Sequence, residues 1–149
     1  MYKNILIATD GSEVSGKGLE HGLRLAKALG ARATIVNVTE GWASIEIASG
    51  GEWASTPGVI EDYERSTDVA AKAVLDAASA IAAKIGVAVE TIHIRDQLPA
   101  PGIIAAAEEK GADLIVMASH GRRGLGRLIL GSQANEVLVS SKIPVLIVR

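Results

Sequence analysis

The apolar positions of this chain fall into two alternating kinds of pattern. Ile5-Leu6-Ile7-Ala8-Thr9 is a continuous apolar run, as a parallel strand buried on both faces should be. Ser12 is placed to cap a helix whose apolar residues Val14, Leu19, Leu23, Ala26 and Leu29 recur every three to five positions, and Gly30 is placed to end it. Ala33–Val38 is a second strand. Residues 41–58 hold no period and are rich in Gly, Ser and Trp, which reads as a long loop with at most one turn of structure. Thr56-Pro57 reads as an N-cap followed by proline at the first helical position. From there Ile60, Tyr63, Thr67, Ala70, Val74, Ala78, Ile81 and Ile85 step by three or four, a single helix of about 28 residues. Glu61–Arg65 and Asp68–Lys72 are spaced as ion pairs on its wet side.

Gly86 ends that helix, and Val87–Ile94 reads as a third strand. Pro99 and Pro101 precede a short helix ending at Lys110-Gly111. Asp113–Ala118 is a fourth strand, a Gly-rich turn follows, Ser132–Ser140 is a last helix and Pro144–Val148 a fifth strand. This alternation implies one doubly wound α/β domain over residues 1–149, with parallel strands, right-handed crossovers and helices on both faces.

Composition removes several classes of function. With no cysteine there is no disulfide framework, thiolate metal site or thiol nucleophile. His21, His93 and His120 lie far apart and form no metal-binding spacing. The formal net charge is −2, the basic residues are scattered except at Arg122, Arg123 and Arg127, and there are two Trp, two Tyr and no Phe. Nucleic acid is therefore a poor partner. No apolar run is long enough to span a membrane, and Met1-Tyr2-Lys3-Asn4 does not read as a secretory signal. The expectation is a cytoplasmic protein.

In open parallel sheets, ligands sit beyond the carboxyl ends of the strands where the strand order reverses. Asp10-Gly11-Ser12 follows the first strand. Ser119-His120-Gly121 follows the fourth, and Gly131-Ser132 opens the last helix. Glycines admit backbone N–H groups close to an anion, and a helix start offers free N–H groups. Ser132 either caps its own helix or adds a hydroxyl to such a cradle. Asp10 is acceptor-only when ionised, so it suits a ribose hydroxyl or a magnesium ion better than a phosphate, unless it is an ordinary turn residue. The three arginines are a solvated loop face or phosphate contacts. Trp42 and Trp53 are packing anchors or parts of a lid. His120 reads as an exposed loop residue. Neither a Walker A loop nor a dinucleotide fingerprint is present, and no nucleophile–base pair is visible.

These elements together resemble the universal stress protein family, whose members combine a first strand ending in Asp with Gly-x2-Gly-x9-Gly-Ser/Thr before the last helix. Here Asp10 ends the opening run, and Ala118-Ser119-His120-Gly121 is followed after nine residues by Gly131-Ser132 and later by Pro144-Val145-Leu146-Ile147-Val148. The resemblance implies a five-stranded sheet of order 3-2-1-4-5 that binds ATP, or ADP or AMP, with magnesium. It implies that Ala8 and Met117 line the base pocket, that the backbone at Val38 meets the adenine edge and that Asp10 contacts the ribose. It further implies that Ala118, Ser119, His120 and Gly121 hold ribose and phosphates, and that Gly131, Ser132 and Gln133 hold phosphates. A homodimer through edge strand 144–148 is also implied. The reading adopted is a nucleotide-dependent regulatory switch, in which nucleotide orders the 122–130 loop for a protein partner to read, with slow ATP hydrolysis at most. Ala118 departs from the motif, which has glycine there. If that position needs positive φ, the methyl group weakens binding by about 1 kcal/mol or more. In that case a nucleotide-free dimeric interaction protein becomes the rival reading. An enzyme acting on an adenylated or phosphorylated small molecule is a third.

Overall fold

The computed structural model describes residues 1–51, 57–121 and 129–149. The strands are β1 (Asn4–Ala8), β2 (Arg32–Val38), β3 (Val89–Ile94), β4 (Leu114–Ala118) and β5 (Val145–Val148). The helices are α1 (Glu13–Leu29), α2 (Trp42–Ala48), α3 (Val59–Ile85), α4 (Pro99–Glu109) and α5 (Ser132–Ser140). All strands pair in parallel, in the order β3-β2-β1-β4-β5.

Side-chain alternation along the central strands divides the core in two. Ile5, Ile7, Ile35, Leu114 and Val116 pack against Leu19, Leu23 and Ala26 of α1 and Leu75, Ala78 and Ala82 of α3. Leu6, Ala8, Val36, Ile115 and Met117 pack against Ala100, Ile103, Ala106 and Ala107 of α4 and Ala134 and Val137 of α5. Both faces of β1 and β4 are covered, which is why their sequences are apolar without alternation. Small residues let the layers close: a Cβ on Gly18 of α1 would stand 2.8 Å from the Ala118 nitrogen of β4.

Helix ends follow the chemistry of their caps. The Ser12 hydroxyl accepts from the Ser15 N–H, and Gly30 ends α1 at φ 64°. Gly86 ends α3 at φ 85°. The Val87 N–H is then committed to the Ala82 carbonyl, so β3 starts at Val89 and not at Val87. Pro99 and Pro101 lie inside the first turn of α4, where no intrahelical donor is needed.

Residues 41–58 are not one aperiodic loop. Trp42–Ala48 forms α2 because Trp42 packs edge-on to Tyr63 of α3, with ring centroids 5.4 Å apart, and the Tyr63 hydroxyl donates to the Glu40 carbonyl. Tertiary contact overrides a segment with weak helical pattern. Thr56 and Trp53 lie outside the described residues. Helix α3 begins at Val59 with Gly58 at its N-cap, so Pro57 is not its first residue. The expected wet-side pairs also regroup: Arg65 meets Asp62, Lys72 meets Asp76, and Asp68 is taken by Arg95. Among the described residues no helix is long and apolar enough to cross a membrane.

Candidate functional site

The strand order reverses at β1, whose neighbours are β2 and β4. The chain leaves β1 toward the α1 face and leaves β4 toward the α5 face, and the diverging connections leave a crevice between them. A cavity of about 300 Å³ lies there, within the range of small-molecule sites. It is lined by Ala8, Asp10, Val38, Met117, Ala118, Ser119, His120, Gly121, Gly131, Ser132 and Gln133. All the residues that the family resemblance assigns to a nucleotide site therefore meet around one space; Trp42 does not line it, and Trp53, Arg122, Arg123 and Arg127 lie outside the described residues.

Its two ends differ. Ala8, Val36, Val38, Ile103 and Met117 form an apolar end on the α4 side of the sheet. Asp10 and the backbone at 119–121 and 131–133 form a polar end. Asp10 accepts from the Ser12 N–H at 2.9 Å. Its other carboxylate oxygen would be 2.6 Å from a Cβ on Gly121. A Cβ on Gly131 would be 2.7 Å from the Ser119 carbonyl oxygen, to which the Gly131 N–H donates at 2.8 Å. Gly131 is thus required by close approach to a backbone atom, whereas a side chain at Gly121 would displace the Asp10 carboxylate.

Two helices begin at this cavity, and only one keeps donors that have no partner among the described residues. In α4, Pro99 and Pro101 have no N–H, the Ala100 N–H donates to the Gln133 side-chain oxygen at 3.0 Å, and the Gly102 N–H bonds to the Leu98 carbonyl. In α5, Gly131 is the N-cap and no side chain caps the helix. The N–H groups of Ser132, Gln133 and Ala134 precede the first helical bond, from Asn135 N–H to Gly131 carbonyl. Ser132 is therefore the first residue of α5 and not its cap. An anion entering the cavity finds its backbone donors at α5.

Ala118 is the last residue of β4, paired in register with Val148. Among the described non-glycine residues positive φ occurs only at Asp96, so the methyl group of Ala118 causes no backbone strain. By strand alternation it shares the face of Leu114 and Val116, toward α1 and away from Ala8 and Met117. His120 is half-buried in the cavity wall, where the sequence reading left it exposed.

Sequence reasoning missed Thr9, Ser15, Val36, Glu40, Pro99, Ile103 and Ala134, which also line the cavity. Pro99 and Ile103 were within reach of the same rule, since they open the helix that follows β3.

A second cavity of about 280 Å³ lies at the same sheet edge, beyond β2 and β3, with Glu40 lining both. Its lining includes Thr39, Tyr63, Asp68, Arg95 and Asp96. Here several of the polar groups answer one another. Arg95 Nε donates to Asp68 at 2.6 Å, and His93 Nε2 is 2.7 Å from the Thr39 hydroxyl. Burial, with the nearby Arg95 charge, holds His93 below its ordinary pKa of 6.5, against the opposing pull of Asp68. The hydrogen bond from Arg95 holds Asp68 below the usual carboxylate range.

Compared with known proteins, residues 1–149 match the family model described as the universal stress protein family. The chain is 34% identical to a universal stress protein of Bacillus subtilis, covering all of both chains. A solved structure of a Methanocaldococcus jannaschii protein superposes with a TM-score of 0.80 at 28% identity, covering 99% of this chain and 96% of that one. A universal stress protein of Archaeoglobus fulgidus, solved in complex with dAMP, superposes with a TM-score of 0.70 at 23% identity, covering 99% of this chain and 98% of that one. That last likeness speaks for the fold alone.

Proposed function

Since the chain belongs to the universal stress protein family, we propose that its sheet-edge cavity binds an adenine nucleotide, with ATP as the ligand, and that the protein works as a nucleotide-dependent switch. The observation that carries this reading is the division of the cavity. One end is apolar, the other offers uncapped backbone donors at α5, and the Asp10 carboxylate lies against Gly121. A nucleotide has the same division, with a flat base, a ribose with hydroxyl donors and an anionic tail.

In this arrangement Ala8 and Met117 contact the base and the Val38 backbone meets its edge. Asp10 accepts from a ribose hydroxyl. The N–H groups of Ser132 and Gln133 bind phosphate oxygens, and the missing side chains at Gly121 and Gly131 let the chain approach them. Among the described residues no three metal-ligating side chains converge. A magnesium ion would therefore ride on the nucleotide phosphates, with Asp10 or the Ser132 hydroxyl as its protein contact. It would supply charge neutralisation for the phosphates.

The edge strand supports a second element. β5 lies at the sheet edge, its residues Val145–Val148 are all partly exposed, and Val139 of the adjoining α5 is 76% exposed. An apolar edge of this kind pairs with another strand or aggregates. A second copy of the chain is the partner we propose, with sedimentation velocity as the check.

The nucleotide reading is tested by thermal melting of nucleotide-stripped protein against ATP, ADP, AMP, GTP and inorganic phosphate. Stabilisation by the adenine nucleotides and not by GTP or phosphate supports it. No shift with any adenine nucleotide at millimolar concentration removes it and leaves the dimeric interaction module in its place.

A further inference from the structure

Helix α1 carries Gly16, Gly18 and Gly22, although glycine weakens a helix interior relative to alanine. Their surroundings differ. Around Gly16 nothing stands within 4 Å of where a Cβ would be. At Gly22 a Cβ would meet side chains, Ile7 Cδ1 at 2.9 Å and Val116 Cγ1 at 3.2 Å. At Gly18 it would meet backbone: the Ala118 nitrogen at 2.8 Å, the Met117 carbonyl carbon at 3.2 Å and the Ala118 Cα at 3.4 Å. The end of a side chain can turn aside. The backbone of β4 is held between β1 and β5 and cannot. At Gly18, α1 therefore rests directly on the strand.

This contact lies at the cleft end of both elements. Ala118 is the last residue of β4 and lines the cavity. Three residues before Gly18, the buried Ser15 lines it too. The Ser15 hydroxyl donates to the Ser12 carbonyl and lies 3.0 Å from the Thr9 hydroxyl, and the Ser12 N–H donates to Asp10. The first turn of α1 thus holds the Asp10 loop. On the other side, the Ser119 N–H donates to the Val148 carbonyl, and the Ser119 carbonyl accepts from the Gly131 N–H. The end of β4 thus holds the turn after it and the start of α5. The two walls of the cleft belong to the two elements that touch at Gly18.

We infer that Gly18 is a positioning residue for the bound nucleotide: its missing side chain sets how closely α1 approaches β4, and with it the gap between the Asp10 loop and the turn after β4. This inference rests on the nucleotide reading above. Gly18 does not itself line the cavity, so it acts through the walls and touches no ligand. A methyl group at position 18 needs a separation of about 3.5 Å or more from its neighbours. To provide it, α1 and β4 must part by several tenths of an ångström, and a ligand that spans the two walls then loses contact with one of them.

Calorimetric titration of ATP into the wild type, Gly16→Ala, Gly18→Ala and Gly22→Ala, with thermal melting of each, tests the inference. Gly18→Ala should weaken ATP by about fivefold or more, as the loss of one hydrogen bond does. Gly16→Ala and Gly22→Ala should stay within about twofold of the wild-type affinity, whatever their melting temperatures. A merely structural glycine shifts the melting temperature and leaves the affinity of the folded protein alone. Wild-type ATP affinity in Gly18→Ala overturns the inference, as does an equal loss in Gly18→Ala and Gly22→Ala. Should Gly18→Ala fail to fold, hydrogen exchange of the wild type decides. ATP should slow the amides of α1 around Gly18 and Gly22 more than those of α3 from Ala71 to Ala82, and equal slowing or none overturns the inference. A wild type that binds no ATP is a different failure, which removes the nucleotide reading and this inference with it.

Discussion

The two cavities at the carboxyl edge of the sheet are nearly equal in volume, about 300 and 280 Å³, and differ in what their polar groups do. Beyond β2 and β3, Asp68, Arg95, His93 and Thr39 bind one another. Between β1 and β4, the α5 N–H groups have no side-chain cap, an apolar floor lies opposite, and two glycines stand where a Cβ would collide with Asp10 or the Ser119 carbonyl. Volume does not separate a ligand site from a packed polar corner. Donors not spent within the protein are the feature that would, because they stay available to an anion that enters.

The contrast is broken most forcefully at Gly131. Gly131→Ala puts a carbon on the Ser119 carbonyl, a backbone atom with little freedom to move. It should destabilise the fold by about 1–3 kcal/mol and abolish detectable nucleotide binding, as read by melting with and without ATP. Asp10→Ala comes next. It removes the proposed ribose acceptor and should weaken ATP by about tenfold or more, while Asp68→Ala in the other cavity should leave ATP affinity unchanged in the same titration. Gln133→Ala frees the Ala100 N–H and should cost about 1 kcal/mol of stability in denaturant unfolding, comparable to losing a helix cap.

The second cavity answers to pH instead. His93 has a lowered pKa in the folded state, so the unfolded chain binds the extra proton first as pH falls. Its contribution is fully present above 6.5 and is lost as pH drops from there through the folded value. Unfolding followed at pH 7.5 and pH 5.5 should show that loss in the wild type and a smaller one in His93→Gln. The smallest effect is expected at Ala118. With no positive φ and its methyl toward α1, Ala118→Gly should change ATP affinity by less than about twofold.

The sheet was legible because β1 and β4 are buried on both faces and so carry unbroken apolar runs. The site was legible in outline because the turns after those strands hold Asp10, Gly121 and Gly131, residues whose types are dictated by turn geometry and close approach. What stayed hidden depends on contacts distant in sequence. Helix α2 forms because Trp42 meets Tyr63. The Ala100 donor of α4 is taken by Gln133, 33 residues away. The harmlessness of Ala118 depends on a φ value and a strand face, and the burial of His120 on where α5 begins. None of these leaves a mark in the local pattern.

The central claim is that the uncapped cavity takes an adenine nucleotide and the self-satisfied one does not. Calorimetric titration of nucleotide-stripped protein with ATP and magnesium, in parallel for wild type, Asp10→Ala and Asp68→Ala, tests it most directly. The account predicts saturable binding in the wild type, marked weakening in Asp10→Ala and none in Asp68→Ala. Equal binding in all three, or no binding in the wild type at millimolar ATP, would contradict it.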